Sequence, residues 1–167
     1  MKKHLIIETD SCGGFTIIEL MIVVLIGGIL SAIALPSYTA MIKNNCMTTK
    51  ANTLVSSLTY TRSEASKRNA SVSINASNGG DNTNEWGTGW TIVDNVAAVI
   101  KVINLECTQT TVNETGNRTS FTYGSDGFID TVGTFEICDD RDSENGREIT
   151  ISPTGRPGID SSFTCPP

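Results

Sequence analysis

Hydrophobic and polar positions divide the chain into an apolar N-terminal stretch, an amphipathic continuation and a region of short β-prone runs. Between Phe15 and Leu35, 21 residues contain a single charge, that of Glu19. At about 1.5 Å of rise per residue they form a helix of about 30 Å, the hydrocarbon thickness of a bilayer. This stretch therefore predicts a membrane-spanning helix.

The helical pattern continues beyond the apolar stretch. Its apolar residues recur at steps of three, four and seven, which is the period of a helix with one apolar face. We expect one long helix over residues 15–69, which spans the membrane over residues 15–37 and packs its second half on a globular domain. Gly27, Gly28 and Pro36 weaken it, since glycine costs about 1 kcal/mol in a helix interior and proline about 3 kcal/mol. The residues of the predicted apolar face are Met47, Ala51, Leu54, Val55, Leu58 and Ala65.

Short β-prone runs separated by glycine and asparagine follow from residue 70. Such runs are typical of strands joined by turns, and they predict an antiparallel β-sheet domain over residues 70–167 in an α+β fold. The stretch from Asn75 to Glu85 is predicted to be a solvated turn, because asparagine, aspartate and glycine favour turns. The predicted strands are Ser71–Ile74, Gly89–Val93, Ala98–Leu105, Ser120–Tyr123, Gly127–Ile129, Gly133–Cys138 and Arg147–Ser152.

Three interpretations of the apolar stretch compete. A cleavable secretory signal has an apolar core of about 7 to 15 residues before its cleavage site, whereas here the run is longer and Gly13 and Gly14 precede it. A signal anchor fits the length but leaves Glu19 unexplained, because a carboxylate within an apolar span costs about 2.5 to 3.5 kcal/mol. A leader that ends at Gly14 makes Phe15 a new amino terminus one helical turn from Glu19. This third interpretation supplies the carboxylate with a cation.

The segment from Gly14 to Leu20, Gly-Phe-Thr-Ile-Ile-Glu-Leu, resembles the class III signal of type IV prepilins and type II secretion pseudopilins. The resemblance implies that residues 1–14 are a leader, which a prepilin peptidase removes after Gly14 before Phe15 is N-methylated. It also implies that Glu19 pairs with the terminal amine of a neighbouring subunit during docking. The implied fold is that of type IV pilins, in which a long N-terminal helix packs on an antiparallel sheet domain.

Two further stretches narrow the resemblance to minor pilins and pseudopilins of the GspH/FimT type. They are Arg62-Ser-Glu-Ala65 followed by a basic pair, and Trp86-Gly-Thr-Gly-Trp90, which is similar to the first hairpin of that subgroup. The subgroup implies a structural subunit that co-assembles at or near the tip of a type IV filament and supports its assembly. Type IV pili and type II secretion systems use the same signal, so both machines remain open, and a major pilin is an alternative.

The resemblance also implies partners and a location. The partners are other pilin or pseudopilin subunits, the prepilin peptidase, the inner-membrane assembly platform and, before assembly, the lipid bilayer. Lys2 and Lys3 hold the leader on the cytoplasmic side. We therefore expect one pass through the inner membrane with the C-terminal domain in the periplasm, followed by entry into a pilus or pseudopilus. In filaments of this family the helix unwinds between a glycine and a proline, which Gly28 and Pro36 match.

Charge and cysteine content add two constraints. The net charge of −6 and the pI of about 4.7 argue against general affinity for nucleic acids, which depends on cationic groups. Cys12 lies in the leader, and the four remaining cysteines of an exported chain suggest two disulfides with three possible connectivities. The resemblance favours Cys138 with Cys165, since C-terminal disulfide loops close pilins of this family, and with it Cys46 with Cys107.

The sequence offers little for catalysis or metal binding. His4 is the only histidine and belongs to the predicted leader, so a Ser-His-Asp or Cys-His arrangement cannot be built in the mature chain, and neither enzyme activity nor a cofactor is expected. A zinc site is not expected either, because closely spaced cysteines are also lacking. Residues from Asp140 to Gly146 approach a calcium loop, but the glycine is one place late and Ile151 stands where the loop needs a glutamate. A plain turn is the favoured interpretation.

The stretch from Ile151 to Gly158 holds the remaining candidate contact. In DNA-binding members of the FimT group, a Gly-Arg-x-Arg motif in this region contacts DNA taken up during natural transformation. Gly155 and Arg156 match that motif, but Gly158 replaces its second arginine. A turn between the last strand and the cysteine-bearing tail is therefore favoured, and DNA capture through Arg156 is the alternative.

Overall fold

A single long helix and eight strands make up the described part of the chain. The computed structural model describes residues 14–79, 84–141 and 143–166, so residues 1–13 of the predicted leader lie outside it. Helix α1 runs from Ile17 to Arg68 and has 52 residues. The chain divides into two compact units, residues 1–40 and residues 41–167.

The described part of the first unit consists of the beginning of α1. Every large apolar side chain from Phe15 to Leu35 is at least half exposed. The segment reaches a mean hydropathy of 2.6, so it is long and apolar enough to cross a membrane. The helix is continuous through Gly28 and Pro36, and the hydroxyl of Ser31 donates to the carbonyl of Gly27 over 2.7 Å. Exposed apolar surface of this extent is unfavourable in water, so the segment requires lipid or other helices around it.

In the second unit the rest of α1 packs on two antiparallel sheets of four strands each, where the sequence predicted one sheet. The first sheet has the order β3-β2-β1-β5 and the second has the order β4-β6-β7-β8. The chain crosses between the sheets after β3, after β4 and after β5, which is a pairing of distant segments that local patterns do not encode. The strands are β1 Val72–Ala76, β2 Gly89–Asp94, β3 Val99–Asn104, β4 Thr110–Glu114, β5 Ser120–Tyr123, β6 Thr134–Asp139, β7 Arg147–Ile151 and β8 Pro157–Asp160.

The strand predictions were wrong at three places. Gly127–Ile129 is not a strand, and only Ile129 forms an isolated bridge, with Tyr123. Strand β4 was missed because Thr110 and Glu114, the polar ends of its buried face, hide the alternation around Val112. Strand β8 was missed because it begins with a proline, which edge strands tolerate. The predicted turn before the tail is therefore the turn of a β7–β8 hairpin.

The core of the second unit lies between α1 and the sheets. The predicted apolar face of the helix is correct, since Met47, Ala51, Leu54, Leu58 and Ala65 are all buried and Val55 is partly buried. Aromatic rings from both sheets and the loop before β2 meet them. The Trp86 ring lies edge-on to that of Phe135 with their centroids 5.2 Å apart, and its indole nitrogen donates to the carbonyl of Arg118 over 2.9 Å. The Trp-Gly-Thr-Gly-Trp stretch thus anchors the core.

Candidate assembly sites

The N-terminal end of α1 brings together the residues of the prepilin-like signal. Thr16 is the N-cap, because its hydroxyl oxygen accepts a hydrogen bond of 3.2 Å from the backbone amide of Glu19. A carboxylate in the first turn also interacts favourably with the helix dipole. The cap starts the helix two residues after Phe15, whose side chain is 82% exposed. Sequence reasoning missed Thr16, although a threonine three residues before a glutamate is a known start signal.

Glu19 is the only acidic residue in the apolar part of α1. Its side chain is exposed, and within the described residues it forms no ion pair. When the segment is surrounded by lipid or helices, this carboxylate loses its hydration at a cost of about 2.5 to 3.5 kcal/mol unless a cation meets it. The carboxylate of Glu19 therefore needs a positively charged partner once lipid or other helices surround it.

A buried lysine joins α1 to the loop before β2 and to the start of β4. The side chain of Lys50 is 1% exposed, and its ammonium nitrogen donates to the carbonyls of Gly87 over 3.0 Å and of Thr110 over 2.6 Å. Burial lowers the pKa of Lys50 from 10.5 to about 8. Sequence reasoning missed Lys50, although its position three residues after Met47 and four before Leu54 places it on the apolar face.

Two disulfides lie in the second unit. Cys46 is bonded to Cys107 across 61 positions of sequence, and Cys138 to Cys165 across 27. One cysteine of each pair is buried, namely Cys46 on α1 and Cys165 in the C-terminal tail. The first bond joins the helix to the loop between β3 and β4, and the second fastens the tail to β6. The tail is also held by backbone bonds, of which one runs from the amide of Gly146 to the carbonyl of Phe163 over 2.9 Å.

The loop that follows β6 contains the residues whose sequence approaches that of a calcium-binding loop. Among the described residues, which omit Asp142, no three acidic, cysteine or histidine side chains are placed to hold a metal. Asp139 instead accepts hydrogen bonds from the backbone amide and the guanidinium of Arg141, and this contact raises the pKa of the arginine. Asp140 pairs with Lys43, and the hydrogen bond from Lys43 lowers the pKa of that carboxyl. Cations of the chain thus occupy these carboxylates.

The C-terminal end of α1 contains the Arg-Ser-Glu-Ala stretch, whose charged side chains form hydrogen bonds. Glu64, which is 7% exposed, accepts hydrogen bonds from Arg68 over 2.8 Å and Lys67 over 3.4 Å. The bond from Arg68 is the main reason that the pKa of Glu64 is lowered. The guanidinium of Arg62 donates to the carbonyl of Gly127 over 2.9 Å. The contacts of Glu64 lie within the helix, and the bond from Arg62 holds the helix to the loop after β5.

Arg156 lies at the turn of the β7–β8 hairpin and is exposed. Its neighbour Gly155 has a φ of 75°, and a side chain there would stand 2.7 Å from the ring of Tyr123 and 2.9 Å from the carbonyl of Gly127. The Tyr123 hydroxyl donates to the carbonyl of Gly155 over 3.1 Å, and burial raises its pKa to about 12. Packing alone therefore requires the glycine of the Gly-Arg pair.

Comparison with known proteins identifies two matching family models. The model described as Type II transport protein GspH matches residues 50–155, and the model described as the prokaryotic N-terminal methylation motif matches residues 10–35. A search of curated proteins found no match. The methylation motif and the apolar segment of α1 together indicate anchoring in the inner membrane followed by incorporation into a filament.

Two crystal structures of the type IV minor pilin FimU of Pseudomonas aeruginosa strain PAO1 are similar to this chain. The structure in space group P21 is 26% identical with a TM-score of 0.62, and the match covers 75% of this chain and 96% of FimU. The structure in space group P65 is 28% identical with a TM-score of 0.59, and the match covers 71% and 96%. The predicted pilin fold is confirmed. Since the GspH model matches well over half of the residues, the chain belongs to the GspH family of minor pilins and pseudopilins, which assemble with other pilin subunits.

Proposed function

We propose that this subunit enters its filament by pairing the carboxylate of Glu19 with the terminal amine of a neighbouring subunit. A prepilin peptidase first cuts between Gly14 and Phe15, and Phe15 is N-methylated. Before it enters the filament, the chain crosses the inner membrane once, with residues 41–167 in the periplasm. An inner-membrane platform then moves the subunit into the filament. The observation that carries the proposal is Glu19, a lone carboxylate among apolar side chains that are at least half exposed.

The free energy of a carboxylate in an apolar surrounding favours a docking role for Glu19 over a charge that the helix merely tolerates. A carboxylate in an apolar surrounding is stabilised when a cation is held against it, whereas removal of one partner from a buried pair costs about 3 to 5 kcal/mol. The amine at Phe15 is a suitable cation, since it lies next to the helix start that Thr16 fixes. The same device operates in a type IV pilus and in a type II pseudopilus. A subunit of the minor class then acts at or near the tip of either filament.

We further propose that α1 unwinds between Gly28 and Pro36 when the subunit is incorporated. Glycine and proline are the weakest helix formers, and within the described residues no atom apart from the neighbouring helix backbone lies within 4 Å of a Cβ placed at Gly27 or Gly28. An extended chain rises about 3.3 Å per residue compared with about 1.5 Å in a helix, so unwinding the eight steps from Gly28 to Pro36 lengthens the segment by roughly 14 Å. Unwinding would let one subunit adjust its length to its neighbours.

The decisive experiment compares Glu19→Gln with a matched control in filament-producing cells. Glu19→Gln keeps the shape of the side chain and removes its charge, while Glu106→Gln removes an exposed carboxylate outside α1 and changes the net charge by the same amount. We expect the Glu19 variant to be inserted and cleaved but absent from sheared filaments, and the Glu106 variant to be present at the wild-type level. Wild-type incorporation of Glu19→Gln would refute the pairing.

Mass spectrometry of the purified wild-type protein tests the processing step. The expected terminus is a methylated Phe15, because only there does a small residue precede a terminus that suits the helix cap. An intact Met1, or a terminus beyond Ile18, would contradict the proposed cleavage independently of the filament assay.

A further inference from the structure

Two of the four strands at the edges of the sheets are covered by loops of the chain itself. The edge strands are β3 and β5 in the first sheet and β4 and β8 in the second. In β5 the backbone of Thr122 exchanges hydrogen bonds with Asp130. In β4 the amide of Val112 donates to the side chain of Asn84 over 2.9 Å, and its carbonyl accepts from the amide of Trp86 over 3.1 Å. These two edges are closed to another strand.

The other two edges differ in their capacity to pair. Strand β8 has four residues and begins with Pro157, which has no amide hydrogen to donate. Strand β3 has six residues, Val99–Asn104, and no proline. Within the described part of the chain its backbone pairs only with β2. Strand β3 is therefore the edge that retains the features needed for strand addition.

The register shows which backbone groups of β3 are available. The amide of Leu105 donates to the carbonyl of Thr88 over 3.1 Å, so the residues at alternate positions before it, Ile103 and Lys101, also direct their amides and carbonyls towards β2. Val102 and Asn104 then direct theirs away from the sheet. A strand placed beside β3 would find donors and acceptors at the spacing of an antiparallel or parallel ladder.

A groove runs along this edge between β3 and α1. It encloses about 360 Å³. The hydroxyls of Thr53 and Ser56 donate to carbonyls of their own helix, so the helix side of the groove is polar but uncharged. The single charged group is Lys101, whose ammonium lies 5.2 Å from the centre of the Tyr60 ring and, within the described residues, forms no ion pair. The groove is lined by Thr49, Asn52, Thr53, Ser56, Ser57, Lys101 and Ile103.

The opposite face of the same strand carries two exposed valines, Val99 and Val102. They share this face although they are three residues apart, because the register with β2 shifts after Ile92, so that Val99 pairs with Val93. Val99 is 61% exposed and Val102 is 54% exposed, and Val96 in the preceding turn is 75% exposed. Because side chains alternate along a strand, an added strand would place one set of its side chains in the groove and the other set beside these valines. Strand β3 therefore favours a partner strand whose side chains alternate, with a carboxylate opposite Lys101 and apolar side chains on the outer face.

We propose that β3 accepts an extended segment of a different pilin subunit as a fifth strand of the first sheet. The segment presents acidic or polar side chains to the groove and apolar side chains to Val99 and Val102. Pairing of β3 with β3 of a second copy is disfavoured, because it would bring two Lys101 ammonium groups to one groove without a carboxylate. The inference rests on assembly with other subunits. One strand is a small interface for a stable complex in solution, but it suffices where the filament raises the local concentration of the partner.

Photo-crosslinking in filament-producing cells tests the proposal on the full chain. Benzoylphenylalanine is placed at Val102 and, as a control, at Thr154, which is exposed in the β7–β8 turn. We expect the Val102 position to crosslink to another pilin subunit at a peptide that alternates apolar and acidic residues, and Thr154 to give no such product. A crosslink to a second copy of this chain overturns the proposal. So does the absence of a crosslink from a Val102 variant that is incorporated at the wild-type level.

Two pairs of variants distinguish the role of the β3 edge from the docking role of Glu19. Val102→Pro removes the outward amide without removing a bond to β2, and Val102→Thr keeps that amide. We expect about tenfold lower incorporation for the proline variant and close to wild-type incorporation for the threonine variant. Lys101→Glu should lower incorporation by up to about fivefold, and Lys101→Arg should not.

The outcomes distinguish the two proposals. If Glu19→Gln is absent from filaments while Val102→Pro and Lys101→Glu are incorporated normally, the docking role stands and strand addition is wrong. Should the proline variant unfold, as judged by its thermal transition, the exposed Lys101 pair decides the question.

Discussion

The buried ammonium group of Lys50 predicts a rise in stability with increasing pH. Its pKa is about 8 in the folded unit, compared with 10.5 for an ordinary lysine. Between these values the unfolded chain binds the proton more readily than the folded chain does, so raising the pH favours folding. The free energy of unfolding should increase by about 2.5 kcal/mol between pH 7 and pH 10. Below pH 7 the contribution of Lys50 should be constant, because both states are then protonated.

Urea denaturation of residues 41–167, a compact unit by itself, measures this effect. Fluorescence of Trp86 and Trp90 reports unfolding, since both rings are buried. Lys50→Met should abolish the rise between pH 7 and pH 10. Lys67→Met is the matched control and should retain it, because the side chain of Lys67 is 77% exposed. The series ends at pH 10, since the pKa of Tyr123 is raised to about 12 and ionisation of the unfolded chain then opposes folding.

Two results would refute the reasoning about Lys50. A stability that stays level or falls between pH 7 and pH 10 in the wild-type unit would mean that the ammonium is hydrated in the folded state. A rise that persists in Lys50→Met would assign the titration to another group. The first result would also argue against the lysine as a link between α1 and the carbonyls of Gly87 and Thr110.

The remaining predictions concern the disulfides and DNA. Replacing Cys138 and Cys165 together with alanine should lower the free energy of unfolding by about 3 to 4 kcal/mol, as expected for a loop closed across 27 positions, and a non-reducing peptide map that joins Cys138 to a cysteine other than Cys165 would contradict the pairing. In a gel-shift assay the unit should not retard DNA, because Arg156 stands in a chain of net charge −6, and retardation that Arg156→Ala removes would revive DNA capture.

The sequence predicted the helix well because two strong signals coincide there. An apolar run of membrane length and a helical repeat of apolar residues both persist without help from distant contacts, so the burial of Leu54 and Leu58 was foreseen. The division into two sheets was not, since strand partners are chosen by long-range packing. Strand β4 shows the difficulty, because the buried Thr110 contacts Cys46 and Lys50 of α1, and the amide of the buried Glu114 donates to Glu85, which are all distant in sequence.

The candidate sites were predictable to different degrees for the same reason. Glu19 was identified because a carboxylate in an apolar run is conspicuous without a structure. Lys50 was overlooked because lysine is normally exposed, and its burial depends on two carbonyls that are distant in sequence, those of Gly87 and Thr110. The groove beside β3 depends on which strand reaches the edge of the sheet, and no local pattern contains that information.

The alternation of the chain between the two sheets has a consequence for how the unit folds. Neither sheet consists of a continuous piece of sequence, since β4 lies between two strands of the first sheet and β5 between two strands of the second. The first sheet therefore cannot be completed before most of the second unit is available, and neither sheet can open without disturbing the other. We expect cooperative folding in one transition, with no half-folded unit that exposes a complete sheet during export. The bond between Cys138 and Cys165 can form only once the C-terminal tail is available, because its second cysteine lies beyond every strand.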